Sequence, residues 1–342
     1  MRMELETLML VFSGDEGVER PSGGALFLGA APHDGLQEWR GLVGWQPLKP
    51  LADAWDAAGF ARVDELPDGR WPLVLILPGK SRDETLAWFA LARDRLEPGG
   101  RLVVAMPNTA GAGRFEKELA KATGNISSIQ KHKCRVFHAV EDGNWNEEVF
   151  NSWRLLTERK SIPETPYLTQ AGIFSSDHVD PGSALLAQHL PSHLHGSVAD
   201  LGAGWGYLTD RLLQGCRKVS RIDLFEADRR ALECAKLNLA RWQSEPSSAD
   251  LLHFHWHDVT TGLPSQYDAI VMNPPFHSGQ ATDVDLGRAF LRTAISSLKR
   301  GGKLFLVANR QLPYEAVLET SGLAWRKPAE DKIYKLLFAE KR

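Results

Sequence analysis

The sequence is poor in cysteine, with Cys134, Cys216 and Cys234 alone among 342 residues. These three lie far apart and form none of the close pairs that zinc sites use, which argues against disulfide bonds and a bound metal. The chain also lacks any apolar run near the roughly 20 residues of a membrane-spanning helix. Its beginning contains Glu4 and Glu6 and not the basic-then-apolar layout of a signal peptide. These absences predict a cytoplasmic protein without a metal or a membrane partner.

A strong charge of either sign is also missing. The 40 Lys and Arg residues nearly balance 43 Asp and Glu residues, which leaves a net charge of -3. Nucleic-acid binding requires local positive potential, and basic clusters near residues 131–135, 217–221 and 299–303 are candidates for it. Solvated faces of ordinary proteins carry such clusters too. Composition by itself therefore does not name a partner.

The chain length and a polar stretch at its centre predict two domains. At 342 residues, of which 43% are hydrophobic, the chain exceeds one ordinary domain. Residues 141–170 are polar and contain Pro163 and Pro166, and a bridging helix is predicted over 147–159. The predicted parts are a first domain over 1–145, a linker helix and loop over 146–164, and a second domain over 165–342.

The two halves repeat one succession of elements. In each, a strand runs into a small-residue turn, a second apolar strand ends at proline, and a helix ends at Gly-Gly before a third strand. The corresponding segments are 24–31 with 197–204, 72–78 with 268–276, and 96–104 with 298–307. Apolar, β-branched strands spaced by helices indicate parallel βαβ units. We predict an α/β protein of two tandem Rossmann-like domains.

The differences between the halves indicate which one carries chemistry. Asp200 of the second half aligns with Phe27, and Asn273 aligns with Leu77. Gly204 likewise has an alanine as its counterpart. Any two α/β domains share some of this layout, but a duplication whose first copy lost its polar positions explains the pattern better. Either interpretation places the active site in the second half.

A glycine-rich turn follows the first strand of the second half. Gly202, Gly204 and Gly206 allow the backbone to turn sharply and to approach a ligand without a Cβ in the way. The first such turn of an open α/β sheet lies where ligands bind. Its Gly-x-Gly-x-Gly spacing differs from the Gly-x-Gly-x-x-Gly of dinucleotide enzymes. Asp200, just before the turn, can accept from an ammonium group such as that of S-adenosylmethionine.

Acidic residues end the next two predicted strands. Glu226 lies at the tip of the second strand, where a carboxylate can hold both hydroxyls of a ribose. Asp223 is in the middle of that strand, and Asp228 opens the following helix, where an acid suits the dipole. Asp258 ends the third strand and is placed to accept from an adenine amino group. Alternate histidines along this strand invite a metal site, but no fourth ligand lies nearby, so none is predicted.

The most specific element is Asn273-Pro274-Pro275-Phe276, at the end of the fourth predicted strand. Two prolines fix φ and remove two N–H donors, so the turn is stiff. The Asn273 side-chain oxygen and the Pro274 carbonyl can accept both N–H bonds of an exocyclic amine, whose lone pair then faces the methyl donor. Phe276 can stack on the planar nucleic-acid base that carries this amine. This pattern predicts methyl transfer to an amino nitrogen.

These motifs together resemble bacterial ribosomal RNA guanine-N2 methyltransferases. The resemblance depends on residues 172–183, 200–204, 273–277 and 307–310 and covers the second half well and the first by general layout. It implies two tandem methyltransferase domains with mostly parallel seven-stranded sheets, the first degenerate. Trp205 is bulkier than the family pattern at its position.

The resemblance also implies a cofactor, a substrate and site residues. S-adenosyl-L-methionine would be held by the glycine turn and its acids, with the stretch from Phe174 to Asp177 against it, and guanine by residues 273–276. The implied partner is ribosomal RNA or a ribosomal subunit, with 16S rRNA and the 30S subunit favoured, and the expected protein is a monomer. Alternatives are methyl transfer to adenine N6 or a protein glutamine, a nicotinamide-dependent oxidoreductase, and a non-catalytic RNA-binding or assembly factor.

Because the first half lacks the glycine turn and its acids, we expect one S-adenosylmethionine site per chain. Isothermal titration calorimetry of the full-length protein should give a stoichiometry near one. A stoichiometry near two would show that the first half also binds the cofactor.

Overall fold

The computed structural model divides into two compact units. It describes residues 2–13, 18–20, 22–244, 250–275 and 281–342, with the backbone alone for 281–283. The first unit runs to Arg159 and includes Gln170–Gly172, and the second contains Lys160–Thr169 and Ile173–Arg342.

The first unit is a seven-stranded sheet with helices on both faces. Its sheet order is β3-β2-β1-β4-β5-β7-β6, and the pairs are parallel except those that involve β7. The elements are α1 (Met3–Leu10), β1 (Ala25–Leu28), β2 (Leu42–Trp45), α2 (Lys49–Ala57), β3 (Ala61–Val63), β4 (Trp71–Ile76), α3 (Arg82–Asp94), β5 (Leu96–Pro107), α4 (Ala112–Thr123), β6 (Ser127–Lys131), β7 (Cys134–Val140) and α5 (Glu147–Arg154).

The second unit has a sheet of the same order, β12-β11-β10-β13-β14-β16-β15, with its antiparallel pairs at β16. A short hairpin of β8 and β9 precedes it. The elements are β8 (Lys160–Ser161), β9 (Leu168–Thr169), α6 (Pro181–His189), β10 (His195–Leu201), α7 (Tyr207–Gly215), β11 (Lys218–Glu226), α8 (Arg229–Leu239), β12 (Leu252–Trp256), β13 (Tyr267–Met272), α9 (Ala281–Ser296), β14 (Leu298–Asn309), α10 (Glu315–Glu319), β15 (Ala324–Arg326) and β16 (Tyr334–Glu340).

The predicted fold of two tandem Rossmann-like sheets is confirmed. The central strands β1, β4 and β13 are mostly apolar and buried, because helices cover both faces of a parallel sheet. In β10 the buried part is residues 198–201, which include Asp200. In each unit the buried side chains on the two faces of the sheet form two separate core clusters.

Strand register supports the alignment of the two halves. Phe27 pairs with Leu75 across β1 and β4, and Asp200 pairs with Val271 across β10 and β13. Leu77 of the first unit therefore occupies the position of Asn273 in the second. The backbone agrees as well, since the turn after each first strand donates two N–H bonds to one carbonyl of the second strand, that of Trp45 or of Phe225.

The first unit differs where a ligand would enter. A single 3-10 turn, Asp34–Leu36, connects β1 and β2 in place of the helix α7 that follows β10. The indole of Trp88 lies against Gly29, so close that a Cβ there would meet it at 2.8 Å. An apolar side chain thus packs directly onto the turn after β1.

Two sequence predictions need correction. The predicted helix over 147–159 ends at Arg154 and continues only as a 3-10 turn, and its Phe150 is buried in the core of the first unit. The helices expected to end at Gly-Gly end earlier, at Asp94 and Ser296. Both Gly-Gly pairs lie inside the following strands, β5 and β14, where the register shifts, because the first glycine of each pair takes a positive φ.

Phe150 offers a test of core packing in the first unit. Its side chain is fully buried, so Phe150→Ala should lower the free energy of unfolding of this unit by about 3–5 kcal/mol. Leu155 in the next turn is 67% exposed, so Leu155→Ala should change the same quantity by no more than about 0.5 kcal/mol. Guanidinium unfolding of the full chain measures both, and equal effects would contradict the assigned core.

Candidate functional site

The turn after β10 has an open face. Gly202, Gly204 and Gly206 have φ values of +70°, +55° and +91°, which residues with a Cβ rarely adopt. A Cβ at Gly204 would have no neighbour within 4 Å among the described residues, whereas one at Gly206 would press on Leu239 at 3.0 Å. The turn is therefore fixed against α8 at its end and open to a ligand at its middle.

Trp205 does not obstruct this opening. Its side chain is 4% exposed and packs against the rings of Tyr167 and Tyr207, with ring centroids 5.0 and 5.7 Å away. The peptide N–H groups of Gly202 and Ala203 donate to the Phe225 carbonyl at 2.8 and 3.1 Å. The bulky residue within the glycine turn thus anchors it from the side of the core.

Asp200 lies beneath the turn and is fully buried. Its Oδ2 accepts from the Thr209 hydroxyl of α7 at 2.7 Å, and its Oδ1 has no partner among the described residues. Burial raises the pKa of Asp200 to about 7. The carboxyl is therefore held toward α7, underneath the turn that it precedes.

Glu226 ends β11 with its carboxylate held by two backbone donors. Oε2 accepts from the Gly204 N–H at 2.7 Å, and Oε1 accepts from the Asp228 N–H at 2.8 Å. Each oxygen keeps a further lone pair, so the group can still accept from two hydroxyls. Burial raises the pKa of Glu226 to about 7 against the lowering effect of these bonds.

The corresponding position of the first unit is Gln46. Its Oε1 accepts from the Leu48 N–H at 3.0 Å, and its Nε2 donates to the Ala30 carbonyl at 2.8 Å. Gln46 thus accepts from the N–H two residues later, as Glu226 does. Toward the turn after the first strand it donates a hydrogen bond, whereas Glu226 accepts one. A glutamine preserves the turn while it removes the carboxylate that a ribose would need.

The acid after β12 lies at a different kind of position from Glu226. β12 ends at Trp256, and Asp258 caps the following 3-10 turn by accepting from the N–H and hydroxyl of Thr260 at 2.9 and 2.7 Å. It is not among the side chains of the pocket described below.

Two of the alternate histidines in and just after β12 have other contacts. His255 binds Asp223 at 2.6 Å, and His257 binds the Gly262 carbonyl at 2.6 Å. Arg221 also pairs with Asp223. Across the described ranges, no group of three or more His, Cys, Asp or Glu side chains could hold a metal ion.

A pocket lies at the carboxyl end of β10 and β13. It is lined by Phe174, Ser175, Asp180, Ser183, Gly202, Ala203, Gly204, Trp205, Tyr207, Leu208 and Asn273. The turn and Asn273 meet here because parallel strands bring their carboxyl ends to one edge of the sheet.

The two polar atoms of the Asn273 carboxamide differ in their hydrogen bonds. Its Nδ2 donates to Asp180 Oδ2 and to Ser183 Oγ, both at 2.8 Å. Its Oδ1 is buried and has no partner among the described residues. Pro274 is buried and Pro275 half-buried beside it, whereas Phe276 falls outside the described residues. The turn therefore offers one buried acceptor at the pocket.

The segment from Phe174 to Asp177 is divided. Phe174 is 53% exposed yet lines the pocket, and Ser175 beside it has a φ of +50°. Asp177 forms an ion pair with Lys160 and is exposed. The structure thus brings Phe174 to the glycine turn and Asn273, and turns Asp177 to solvent.

Asp180 and Ser183 belong to the pocket, and the sequence analysis assigned them no role. Asp180 caps α6, and Pro181 occupies the first turn. An Asp-Pro pair is typical of a helix start, so the sequence could have predicted this cap. The contact with Asn273 joins residues 93 apart in sequence, so no local pattern could reveal it.

The pocket and the carboxylate beside it fit a nucleoside cofactor. Gly204 leaves space for close approach, and Phe174 supplies an exposed ring. Glu226 does not line the pocket, but it is bonded to the Gly204 N–H and keeps two lone pairs. No helix within the described parts of the chain has the length and apolar character to cross a bilayer. A sheet of this order, with a glycine turn after its first strand and Asn-Pro-Pro after its fourth, defines an S-adenosylmethionine-dependent methyltransferase.

Comparison with known proteins supports this class and narrows it. A family model described as methyltransferase small domain matches residues 164–338. The ribosomal RNA small subunit methyltransferase C of Psychromonas ingrahamii is 31% identical over 252 residues, 73% of this chain and 70% of that protein. The one from Pseudomonas aeruginosa is 30% identical over 313 residues, 86% and 87% of the two chains. The chain belongs to this ribosomal RNA small subunit methyltransferase C family.

One solved structure covers the whole chain. It is the 16S rRNA N2 methyltransferase RsmC of T. thermophilus in complex with AdoMet and guanosine, with 26% identity and a TM-score of 0.78. The match covers 100% of this chain and 92% of that one. The family resemblance found in the sequence is thereby confirmed for both halves.

The raised pKa of Glu226 predicts how cofactor affinity depends on pH. A carboxylate that accepts from ribose hydroxyls must be ionised, so binding lowers its pKa and affinity is full above pH 7. Below pH 7, affinity should fall by up to about tenfold per pH unit. Glu226→Gln should weaken binding by about 10- to 100-fold at pH 8 and flatten the profile.

Calorimetry from pH 5.5 to 8.5 measures this dependence. Glu233→Gln is the matched control, because Glu233 is an exposed residue of α8 paired with Lys236, and it should follow the wild type. A slope that persists in Glu226→Gln would assign the titration to Asp200, whose pKa is also about 7.

Proposed function

We propose that this protein transfers a methyl group from S-adenosyl-L-methionine to the N2 amine of a guanine in 16S rRNA, and that the target is guanine 1207, as in the name of the T. thermophilus enzyme. The observation that carries the proposal is the buried Oδ1 of Asn273 at the pocket, which has no partner among the described residues. The curated relatives and the AdoMet and guanosine of the solved relative support the same reaction.

The chemistry follows from the weakness of the nucleophile. The lone pair of an exocyclic amine is delocalised into the base. Asn273 Oδ1 and the Pro274 carbonyl accept its two N–H bonds, which favours tetrahedral nitrogen and frees the lone pair. When bound, S-adenosylmethionine supplies an electrophilic methyl group on a sulfonium, so no strong base is required. The protein contributes orientation, which can replace much of a bimolecular barrier.

The remaining site residues divide between cofactor and base. Gly202, Gly204 and Gly206 cradle the cofactor, and Glu226 binds its ribose hydroxyls. Asp200, Asp258 and Phe174 complete this set, Asp200 from beneath the turn and Phe174 from the lining of the pocket. Phe276 stacks on the guanine.

The substrate is proposed to be RNA within the 30S subunit, methylated in the cytoplasm by a monomeric enzyme. Residues 1–145 form the degenerate domain that binds RNA or supports the catalytic part, residues 146–164 the linker, and residues 165–342 the catalytic domain. In the first unit, Gln46 in place of Glu226 and Trp88 against the turn agree with a loss of cofactor binding.

Methyl transfer to ribosomal substrates tests this function. Labelled S-adenosylmethionine is supplied with 30S particles, 50S particles or naked rRNA from cells that lack the protein, and the product nucleoside is identified. We expect N2-methylguanosine at guanine 1207 of 30S particles. N6-methyladenosine or labelled protein glutamine would select the alternative methyltransferases. Intact cofactor binding without incorporation would indicate a non-catalytic RNA-binding protein.

Asn273→Ala tests the residue that the proposal depends on. Loss of the amine acceptor should lower kcat by at least about 100- to 1000-fold, while the calorimetric Kd for S-adenosylmethionine stays within a few-fold. Lost cofactor binding would show instead that Asn273 holds the cofactor.

A further inference from the structure

We propose that Asp180 is a positioning residue of the methyl transfer. It turns the carboxamide of Asn273 so that Oδ1 faces the target amine, and its charge makes that oxygen a stronger acceptor. This inference rests on the proposed role of Asn273 and adds a residue of another element, α6, to the reaction.

Asn273, Asp180 and Ser183 form a closed set of hydrogen bonds. Asn273 Nδ2 donates to Asp180 Oδ2 and to Ser183 Oγ, both at 2.8 Å. The Ser183 N–H donates to the same Asp180 Oδ2 at 2.7 Å. Asp180 and Ser183 are 7% and 8% exposed, so water competes little for these bonds.

Asp180 decides which way the Asn273 amide faces. A carboxamide has two orientations related by a flip, and the Ser183 hydroxyl fits both because it donates and accepts. An ionised carboxylate only accepts. The flipped amide would place Oδ1 against Asp180 Oδ2 and aim the NH₂ group at the pocket. There it would face the N–H bonds of the target amine, donor against donor, and transfer would fail.

The carboxylate is itself held in place. Asp180 caps α6, whose first N–H groups and dipole favour a negative charge. A Cβ at Gly182 would approach Asp180 Oδ2 to 3.0 Å and the Tyr334 ring to 2.8 Å. The glycine therefore leaves room for the carboxylate beside Tyr334, and the bond from the Ser183 N–H holds Asp180 Oδ2 at Asn273.

The charge adds a second effect. A hydrogen bond to an ionised acceptor is about twice as strong as a neutral one. Donation from Asn273 Nδ2 to a carboxylate draws electron density toward Oδ1, since linked hydrogen bonds polarise one another. Oδ1 then accepts more strongly from the amine at the moment its lone pair is needed.

An exchange of the two side chains tests the proposal. Asp180→Asn keeps the helix cap but loses the charge, and kcat should fall by about tenfold or more, with KM and cofactor Kd within about threefold. Asn273→Asp sets two carboxylates against each other and should lower kcat by at least about 1000-fold. The double variant restores one donor and one acceptor, so it should recover at least about tenfold over Asn273→Asp.

The control separates positioning from stability. Asn146 caps α5 in the first unit, so Asn146→Ala loses about as much capping energy but should leave kcat unchanged. If the losses in the double variant simply multiply, with no recovery over Asn273→Asp, Asp180 has only a structural role and the proposal is wrong.

A second readout does not require activity. In the free protein, the side-chain amide of Asn273, assigned by its loss in Asn273→Ala, should show two protons protected from exchange in ¹⁵N–¹H spectra. Asp180→Ala should abolish the protection of at least one and shift both. An unchanged signal would overturn the positioning role. If wild-type protein methylates no guanine yet this signal responds as expected, the proposed function has failed and the orientation by Asp180 stands.

Discussion

The two hydrogen bonds that Glu226 accepts from the backbone of Gly204 and Asp228 are the interaction on which the second unit depends. They join the turn after β10, the end of β11 and the start of α8. Together with the bonds from the Gly202 and Ala203 N–H groups to the Phe225 carbonyl, they set the distance between the open middle of the glycine turn and the second strand. The same carboxylate keeps lone pairs, so in the proposed function one group both holds the glycine turn and binds the ribose hydroxyls of the cofactor.

The first unit shows which features of the fold remain when this carboxylate is absent. Its sheet has the same order, the same register and the same pair of N–H bonds from the first turn to the second strand. Gln46 takes over the bridging bonds without a charge, and Trp88 packs on Gly29. Apolar strands suffice to maintain the sheet, because buried apolar area does not depend on the identity of a few turn residues. The positions that correspond to polar site residues of the second unit carry other residues in the first.

The reaction that this site supports relies on arrangement more than on strong acids or bases. In the proposed reaction Asn273 supplies a neutral acceptor, and the carboxylate of Asp180, from a helix that precedes the sheet, accepts from its Nδ2 and sets its direction. Burial makes these bonds selective, since a buried donor or acceptor without a hydrogen-bond partner raises the free energy. A hydrogen bond thereby links the cap of α6 to the turn after β13. In the proposed reaction, a change in either alters the orientation of the acceptor for the target amine.

The sequence by itself determined the class of fold and the half that carries the site. Strand patterns, the glycine turn and Asn-Pro-Pro are local features, so the five parallel strands of the second sheet, the place of Gly202 to Gly206 and the end of β11 at Glu226 could be predicted. The antiparallel strands β15 and β16 were not located, and β12 ends at Trp256 and not at Asp258. Helix ends were less accurate, as at Arg154, because termination depends on packing.

Only the tertiary structure decided which polar atoms meet. Asp180 and Asn273 are 93 residues apart, and the sheet brings them together because α6 starts at the edge where β13 ends. The burial that raises the pKa of Asp200 and Glu226 to about 7 also arises from long-range packing. Local sequence encodes backbone preferences and apolar periodicity, whereas hydrogen-bond partners and desolvation are properties of the folded chain.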